Sequence, residues 1–175
     1  MTIKNTFSFV MLFALITACT NNPLIIDTSN SQVKLSFENV DETLYYTDSL
    51  ELMKKHHYYK NELKNIYDYE IGHVLRIGQV EDSAFYNSII LFREDTSIQT
   101  LERRIKTIFP LLKEKEDVIN EGFSHLKFYF NNGKQPNKIA YLNALFTSAI
   151  FCTEDEIGIG MEWYLGDTTD VVQQL

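Results

Sequence analysis

Residues 138–160 read KIAYLNALFTSAIFCTEDEIGIG, and this stretch decides the fold class. Its apolar runs, at 138–142, 145–152 and 157–160, are short, and polar residues separate the last two. Short apolar runs bounded by turn residues are typical of β-strands. We therefore predict a small antiparallel sheet formed mainly by these C-terminal strands, joined by an early strand at 33–37.

The residues between the early strand and this stretch show helical periodicity instead. Asp48 and Ser49 can cap a first helix, and Gly78 can end a further helical segment at 71–77. Helices starting near Asp82 and Asp95 follow, and Pro110 precedes a long helix that reaches about Phe130. The apolar spacing predicts that this long helix packs on the core through Leu112, Val118, Ile119, Phe123, Leu126 and Phe130. The fold class is therefore α+β, with a helix-rich middle, and the absence of a strand–helix repeat argues against a doubly wound sheet.

Composition excludes several classes of function. The chain has 175 residues and a formal net charge of −8, whereas a nucleic-acid-binding surface needs clustered positive charge. Two cysteines cannot form a disulfide framework or an all-cysteine zinc site. Cys152 lies in an apolar run, which predicts a buried free thiol. We expect no nucleic-acid partner and no cofactor.

The N-terminus reads as a secretion signal of residues 1–18. Lys4 is its lone charge, an apolar stretch follows at 7–16, and small residues precede Cys19. The apolar stretch is shorter than the roughly 20 residues that a membrane-spanning helix needs. A small-residue site ending in Cys resembles the lipobox of bacterial lipoproteins, which implies cleavage before Cys19 and acyl chains, such as palmitate, attached to it. Residues 19–32 are then a polar tether, and 33–175 form a single α+β domain.

No catalytic constellation is recognisable in the sequence. His56 and His57 point about 100° apart on a helix and cannot chelate one ion from one face. Glu121 and His125 are four residues apart and read as a surface pair. Gly158-Ile159-Gly160 lacks the third glycine of a dinucleotide loop, so its glycines predict close approach of strands or a bulge. We therefore predict a protein that is not an enzyme, with no catalytic, cofactor or metal residues.

The segment 153–166 carries a family resemblance. Its acidic turn, Gly-Ile-Gly, acidic residue, aromatic pair and Leu-Gly are similar to a segment of the gliding motility lipoprotein family GldB of the Bacteroidetes. Further segments follow in the same order as in that family, namely the lipoprotein signal with Cys19, 75–78, 109–112, 125–130 and 139–141. The resemblance implies a lipid-anchored envelope protein of the outer membrane that serves the gliding machinery by contacting other envelope or motility proteins.

The resemblance also implies a second reading of the fold and function. The family is distantly similar to zinc-dependent peptidases, but their His-Glu-x-x-His helix has no counterpart in this chain. Family members continue past the Leu-Gly segment, so we expect this chain to match only their N-terminal and central part and to be truncated at its C-terminus. The alternative function is therefore a truncated or degenerate zinc-peptidase-like protein whose catalytic half is missing.

One surface is predicted to make the protein contacts. Glu162, Trp163 and Tyr164 place a carboxylate and a lone tryptophan beside flexible glycines. The competing interpretation is that Trp163 and Tyr164 belong to the hydrophobic core, where large aromatic side chains are usually found.

Overall fold

The computed structural model describes residues 26–80, 82, 84–167, 169 and 170. The predicted signal at 1–18, the lipidation site Cys19 and the chain end at 171–175 therefore lie outside the described residues. The predicted tether is described only from residue 26, and it includes a 3₁₀ turn at Ser29–Ser31. Just beyond it, the backbone N–H of Val33 donates to Ser124 Oγ and that of Leu35 donates to Asn120 Oδ1.

The described chain forms a helix-rich α+β domain around a small sheet, which confirms the predicted class. The helices are α1 (Val40–Tyr46), α2 (Ser49–Glu62), α3 (Lys64–Tyr69), α4 (Phe85–Glu94), α5 (Thr96–Ile108) and α6 (Lys113–Tyr129). A π-helical turn (Glu70–Val74) follows α3, and a 3₁₀ turn (Met161–Tyr164) follows the last strand. The strands are β1 (Ser36–Asn39), β2 (Lys138–Leu142), β3 (Ile150–Cys152) and β4 (Glu156–Gly160).

The helix starts follow local hydrogen-bonding chemistry. The side chain of Asp48 accepts a hydrogen bond from the Glu51 N–H at 2.9 Å, which confirms the predicted cap of α2. Asp95 caps α5 in the same way through the N–H groups of Ser97 and Ile98. After the π-helical turn, Gly78 has a φ of +128°, a conformation that other residues rarely adopt.

The sheet is mixed, in the order β1-β2-β4-β3. Only β3 and β4 pair antiparallel, whereas β1 pairs with β2 and β2 with β4 in parallel. The prediction of a wholly antiparallel arrangement is therefore corrected. The polar turn at 153–155 does form a hairpin, but its first strand, β3, lies at the sheet edge, so β4 returns beside β2 in the same direction.

Helices cover both faces of the sheet. Ala140 and Leu142 point into one cluster, packed against α1 to α4, while Ile139 and Tyr141 point into a second cluster with α5 and α6. This split follows from the alternation of side chains along a strand. We call these clusters the helical core and the cleft-side core.

Two predictions of burial are wrong. Cys152 is exposed, because β3 is an edge strand with only β4 beside it. Of the predicted core face of α6, Val118 is 65%, Leu126 42% and Phe130 63% exposed. Leu112, Ile119 and Phe123 do pack on the cleft-side core. The helix therefore covers the core with a narrower face than its apolar pattern suggests.

Candidate functional site

An exposed aromatic surface lies where β4 runs into the 3₁₀ turn. Trp163 and Tyr164 are each 49% exposed, so the interpretation that they belong to the core is wrong. The ring of Phe146 meets Trp163 edge to face, with ring centroids 5.8 Å apart. We call Phe146, Trp163 and Tyr164 the Trp163 surface. The sequence did not predict Phe146 as part of this surface, because it lies in an apolar run that shows no sign of a turn.

The loop that carries Phe146 has an unusual backbone. Leu145 and Phe146 have φ values of 46° and 57°, in the left-handed region that residues with a Cβ rarely occupy. Such conformations persist where surrounding interactions hold them and are frequent at functional sites. Here the carboxylate of Glu162 accepts hydrogen bonds from the N–H groups of Ala144 at 3.1 Å and Phe146 at 2.9 Å.

Glu162 therefore has a different role from the one predicted. Its side chain is fully buried, at 0% exposure, and cannot itself touch a partner. Because its two oxygens bind the loop at Ala144 and Phe146, it positions the Trp163 surface from beneath. The predicted contact residues are thus separated into two exposed rings and one buried support.

The glycines of β4 make this packing possible. A Cβ on Gly158 would overlap the ring of Phe151, and a Cβ on Gly160 would overlap the backbone oxygen of Ser148. Both overlaps are closer than real Cβ contacts. The structure thus confirms the prediction that these glycines permit close approach of chain segments, and Gly160 adjoins the loop that Glu162 holds.

A cluster of buried carboxyl groups lies between the two cores. Asp41 of α1, Glu70 of the π-helical turn, Glu102 of α5 and Glu162 are each at most 5% exposed. The side-chain amide of Asn143 donates to Glu102 Oε1. The sequence held a weak sign of this cluster, since Glu102 falls four residues after Ile98 and three before Ile105, on the apolar face of its helix.

Burial and mutual repulsion raise the pKa of these carboxyl groups. Desolvation is the larger cause, and it raises the pKa of Asp41 and Glu70 well above their ordinary values, with neighbouring carboxylates adding to the shift. Desolvation also raises the pKa of Glu102 to about 7, although hydrogen bonds from Asn143 and Asp41 oppose it. This shift favours the protonated form of Asp41, whose O–H donates a hydrogen bond to Glu102. The pKa of Glu162 is raised by burial too, against its backbone hydrogen bonds.

His56 and His125 make contacts that are typical of structural side chains. His56 Nε2 lies 3.1 Å from the backbone oxygen of Val80 and Nδ1 lies 2.9 Å from the hydroxyl of Tyr67. Its ring stacks on Phe85 at a centroid distance of 3.9 Å. His125 Nε2 lies 3.8 Å from Glu121 Oε1, as expected for a surface pair on α6. Within the residues that the structure describes, no three His, Cys, Asp or Glu side chains are grouped to hold a metal ion.

None of the helices in the described part of the chain is both long and apolar enough to cross a membrane. Fold and site together define a small α+β domain with buried carboxyl groups and one exposed aromatic surface.

Comparison with known proteins places this domain in a family. A family model described as gliding motility protein GldB matches residues 21–175, and the chain belongs to that family. The membership implies a gliding motility lipoprotein of the cell envelope. No curated protein and no solved structure matches the chain.

Proposed function

We propose that the protein is a non-enzymatic lipoprotein, anchored in the outer membrane by acyl chains on Cys19. It serves gliding by contacting other envelope or motility proteins through the Trp163 surface. Glu162 takes part as a positioning residue, because its carboxylate holds the loop that presents Phe146.

The observation that carries this proposal is the rigidity of an exposed aromatic pair. Interfaces are enriched in Trp and Tyr, which supply a large contact area with few rotatable bonds. A left-handed backbone at Leu145 and Phe146, fixed by a buried carboxylate, holds Phe146 edge to face with Trp163 before any partner arrives. A surface ordered in advance loses less conformational entropy on binding.

Crosslinking in living cells tests the contact. A photoreactive phenylalanine is placed at Trp163, and the matched control carries it at Tyr129, an aromatic residue of α6 that is 61% exposed. We expect a discrete adduct with an envelope protein from position 163, which the additional change Phe146→Ala weakens. Equal adduct patterns from the two positions would contradict a contact at the Trp163 surface.

Metabolic labelling with a palmitate analogue tests the anchor. The wild-type chain should incorporate the label and fractionate with outer membranes, whereas Cys19→Ser should lose both properties. The matched control is Cys152→Ser, because Cys152 is exposed and lies in the folded domain. Label that survives Cys19→Ser but not Cys152→Ser would contradict an anchor at Cys19.

The non-enzymatic role is tested separately from the contact. Purified full-length protein, with and without added zinc, is incubated with a library of unstructured peptides and the products are measured by mass spectrometry. We expect no cleavage above a buffer control. Zinc-dependent cleavage would instead support the peptidase-like alternative.

A further inference from the structure

A cleft opens beside the buried carboxyl cluster, on the side away from the helical core. It has a volume of about 340 Å³ and lies between α1, α5 and the start of α6. Asp41, Glu102 and Tyr141 line it together with Tyr46. The rim includes two lysines and two glutamates, Glu42, Lys106, Lys113 and Glu116. We call this the acidic cleft.

Two buried polar atoms in the lining lack a partner. The hydroxyl of Tyr141, a residue that is 3% exposed, makes no hydrogen bond within the described residues. Oδ1 of Asp41, a residue that is 5% exposed, accepts none either. Buried polar groups in folded proteins are nearly always hydrogen-bonded. A ligand that donates hydrogen bonds would give both of these atoms a partner. The free carboxyl oxygen of Asp41 is a hydrogen-bond acceptor, so the ligand must carry a donor.

The lining also indicates the charge of that ligand. The charged groups that act on Asp41 are carboxylates, those of Glu102, Glu70 and Glu162. Buried acidic clusters are stable when a cation accompanies them or when they stay protonated. The described residues hold no grouping suited to a metal ion, which leaves an organic cation.

The rim shows how such a cation is held. The ammonium group of Lys106 lies 3.9 Å from the ring centroid of Tyr46 and 3.7 Å from Glu42 Oε1. An aromatic face beside a carboxylate is a general recognition mode for ammonium and guanidinium groups. The chain therefore already places one of its own cations against the cleft wall.

We infer that the acidic cleft binds an alkylammonium or guanidinium group, with Asp41 and Glu102 at its floor and Tyr46 as its aromatic wall. The group comes either from a Lys or Arg side chain of a partner protein or from a free amine. This site is distinct from the Trp163 surface and goes beyond the proposed function, so either can fail without the other.

Ionisation of Glu102 should govern the affinity. With a pKa of about 7, Glu102 is mostly protonated at pH 6 and mostly ionised at pH 8, so cation affinity should rise about tenfold between them. The charged or titratable groups around Glu102 are Asp41, Glu42, Tyr45 and Tyr46 of α1, Glu70, Arg93, Arg103, Lys106, Lys113, Glu116, Tyr141 and Glu162. Burial and the carboxylate of Glu162 oppose the ionisation of Glu102 until a cation is present, whereas the hydrogen bonds from Asn143 and Asp41 favour it.

Calorimetric titration of the full chain in detergent with butylammonium tests the inference. The uncharged 1-butanol serves as the ligand control, and Glu121→Gln, a change on the exposed face of α6, is the protein control. We expect saturable binding of butylammonium, at least tenfold weaker for Glu102→Gln at pH 8 and unchanged for Glu121→Gln. Equal affinity for 1-butanol, or no loss of affinity for Glu102→Gln, would overturn the inference.

A second variant, on the exposed rim of the cleft, tests the inference independently of changes to its buried floor. Lys106 has a side chain that is 54% exposed, so Lys106→Met should fold normally. Because this change removes the competing cation from Tyr46, butylammonium should bind about two- to threefold more tightly. Unchanged or weaker binding would count against the cleft as an ammonium site.

The two sources are separated by a second probe. An acetylated and amidated Gly-Lys-Gly peptide presents the same ammonium group on a protein backbone. Tighter binding of the peptide than of butylammonium would identify a partner side chain as the source, and the reverse would identify a free amine. If neither binds, the inference is wrong.

Discussion

The two faces of the sheet differ in how completely they are sealed. The helical core is almost wholly apolar, and Leu52, Leu63 and Ile89 within it are 0% exposed. The cleft-side core is smaller, and its helix α6 leaves Val118 and other apolar side chains in solvent. The acidic cleft and the Trp163 surface both adjoin this second face. The comparison suggests that the sealed face supplies stability, whereas the open face carries the features that meet other molecules.

The largest expected effect comes from truncating one leucine on each face of the sheet, which tests whether the two faces differ in their contribution to stability. Leu52→Ala should lower the free energy of unfolding by about 3–5 kcal/mol, because it leaves a cavity in a sealed core. Leu101→Ala, in the cleft-side core, should cost about 2–3 kcal/mol, since its surroundings can relax. Leu50→Ala, at a position 68% exposed on the same helix as Leu52, is the control. Urea unfolding measures all three, and a larger loss for Leu101→Ala would reverse the assignment of the faces.

The support beneath the Trp163 surface gives the next largest effect. Glu162→Ala leaves the buried N–H groups of Ala144 and Phe146 without an acceptor and should cost about 2–4 kcal/mol. Glu162→Gln keeps one acceptor oxygen, so its loss of stability should be roughly half that of Glu162→Ala. Thermal unfolding, with tryptophan fluorescence reporting on Trp163, measures both. An unchanged melting temperature for Glu162→Ala would show that the loop does not depend on this carboxylate.

Two glycine substitutions compare a closely packed position with an open one. Gly160→Ala should cost about 1–3 kcal/mol, because its Cβ meets the backbone oxygen of Ser148. Gly122→Ala, inside α6 with nothing within 4 Å of the new Cβ, should instead stabilise the protein by about 0.5–1 kcal/mol. Denaturant unfolding measures the change in the free energy of unfolding for both variants and shows whether each is a loss or a gain. An equal loss of stability for Gly122→Ala and Gly160→Ala would contradict the explanation that close packing makes Gly160 necessary.

The last predicted effect is a pH dependence of stability. The pKa of Glu102 is raised from 4.5 to about 7 on folding, so its stabilising influence is full below pH 4.5 and is lost as pH rises through 7. Glu102→Gln cannot ionise and should therefore be more stable than wild type at pH 8, by up to about 3 kcal/mol, but not at pH 4. Unfolding curves between pH 4 and 8 measure this difference. The same difference at every pH would mean that Glu102 does not titrate near 7.

The sequence predicted more of the fold than of the site, for physical reasons. Periodicity and caps such as Asp48 depend on residues close together in the chain, so they can be read locally. Strand direction and the exposure of Val118 depend on what packs across the sheet, which local patterns do not contain. Trp163 was identified by its residue type, but the burial of Glu162 depends on Ala144 and Phe146, which approach it only in the folded chain.

The most direct test of the central claim is the gliding speed of cells whose only copy carries Trp163→Ala and Tyr164→Ala. The matched control carries Phe128→Ala and Tyr129→Ala, two exposed aromatic residues of α6 away from the Trp163 surface. With equal protein levels and unchanged melting temperatures, we expect gliding to be lost in the first strain and kept in the second. Normal gliding of the Trp163→Ala, Tyr164→Ala strain would contradict it.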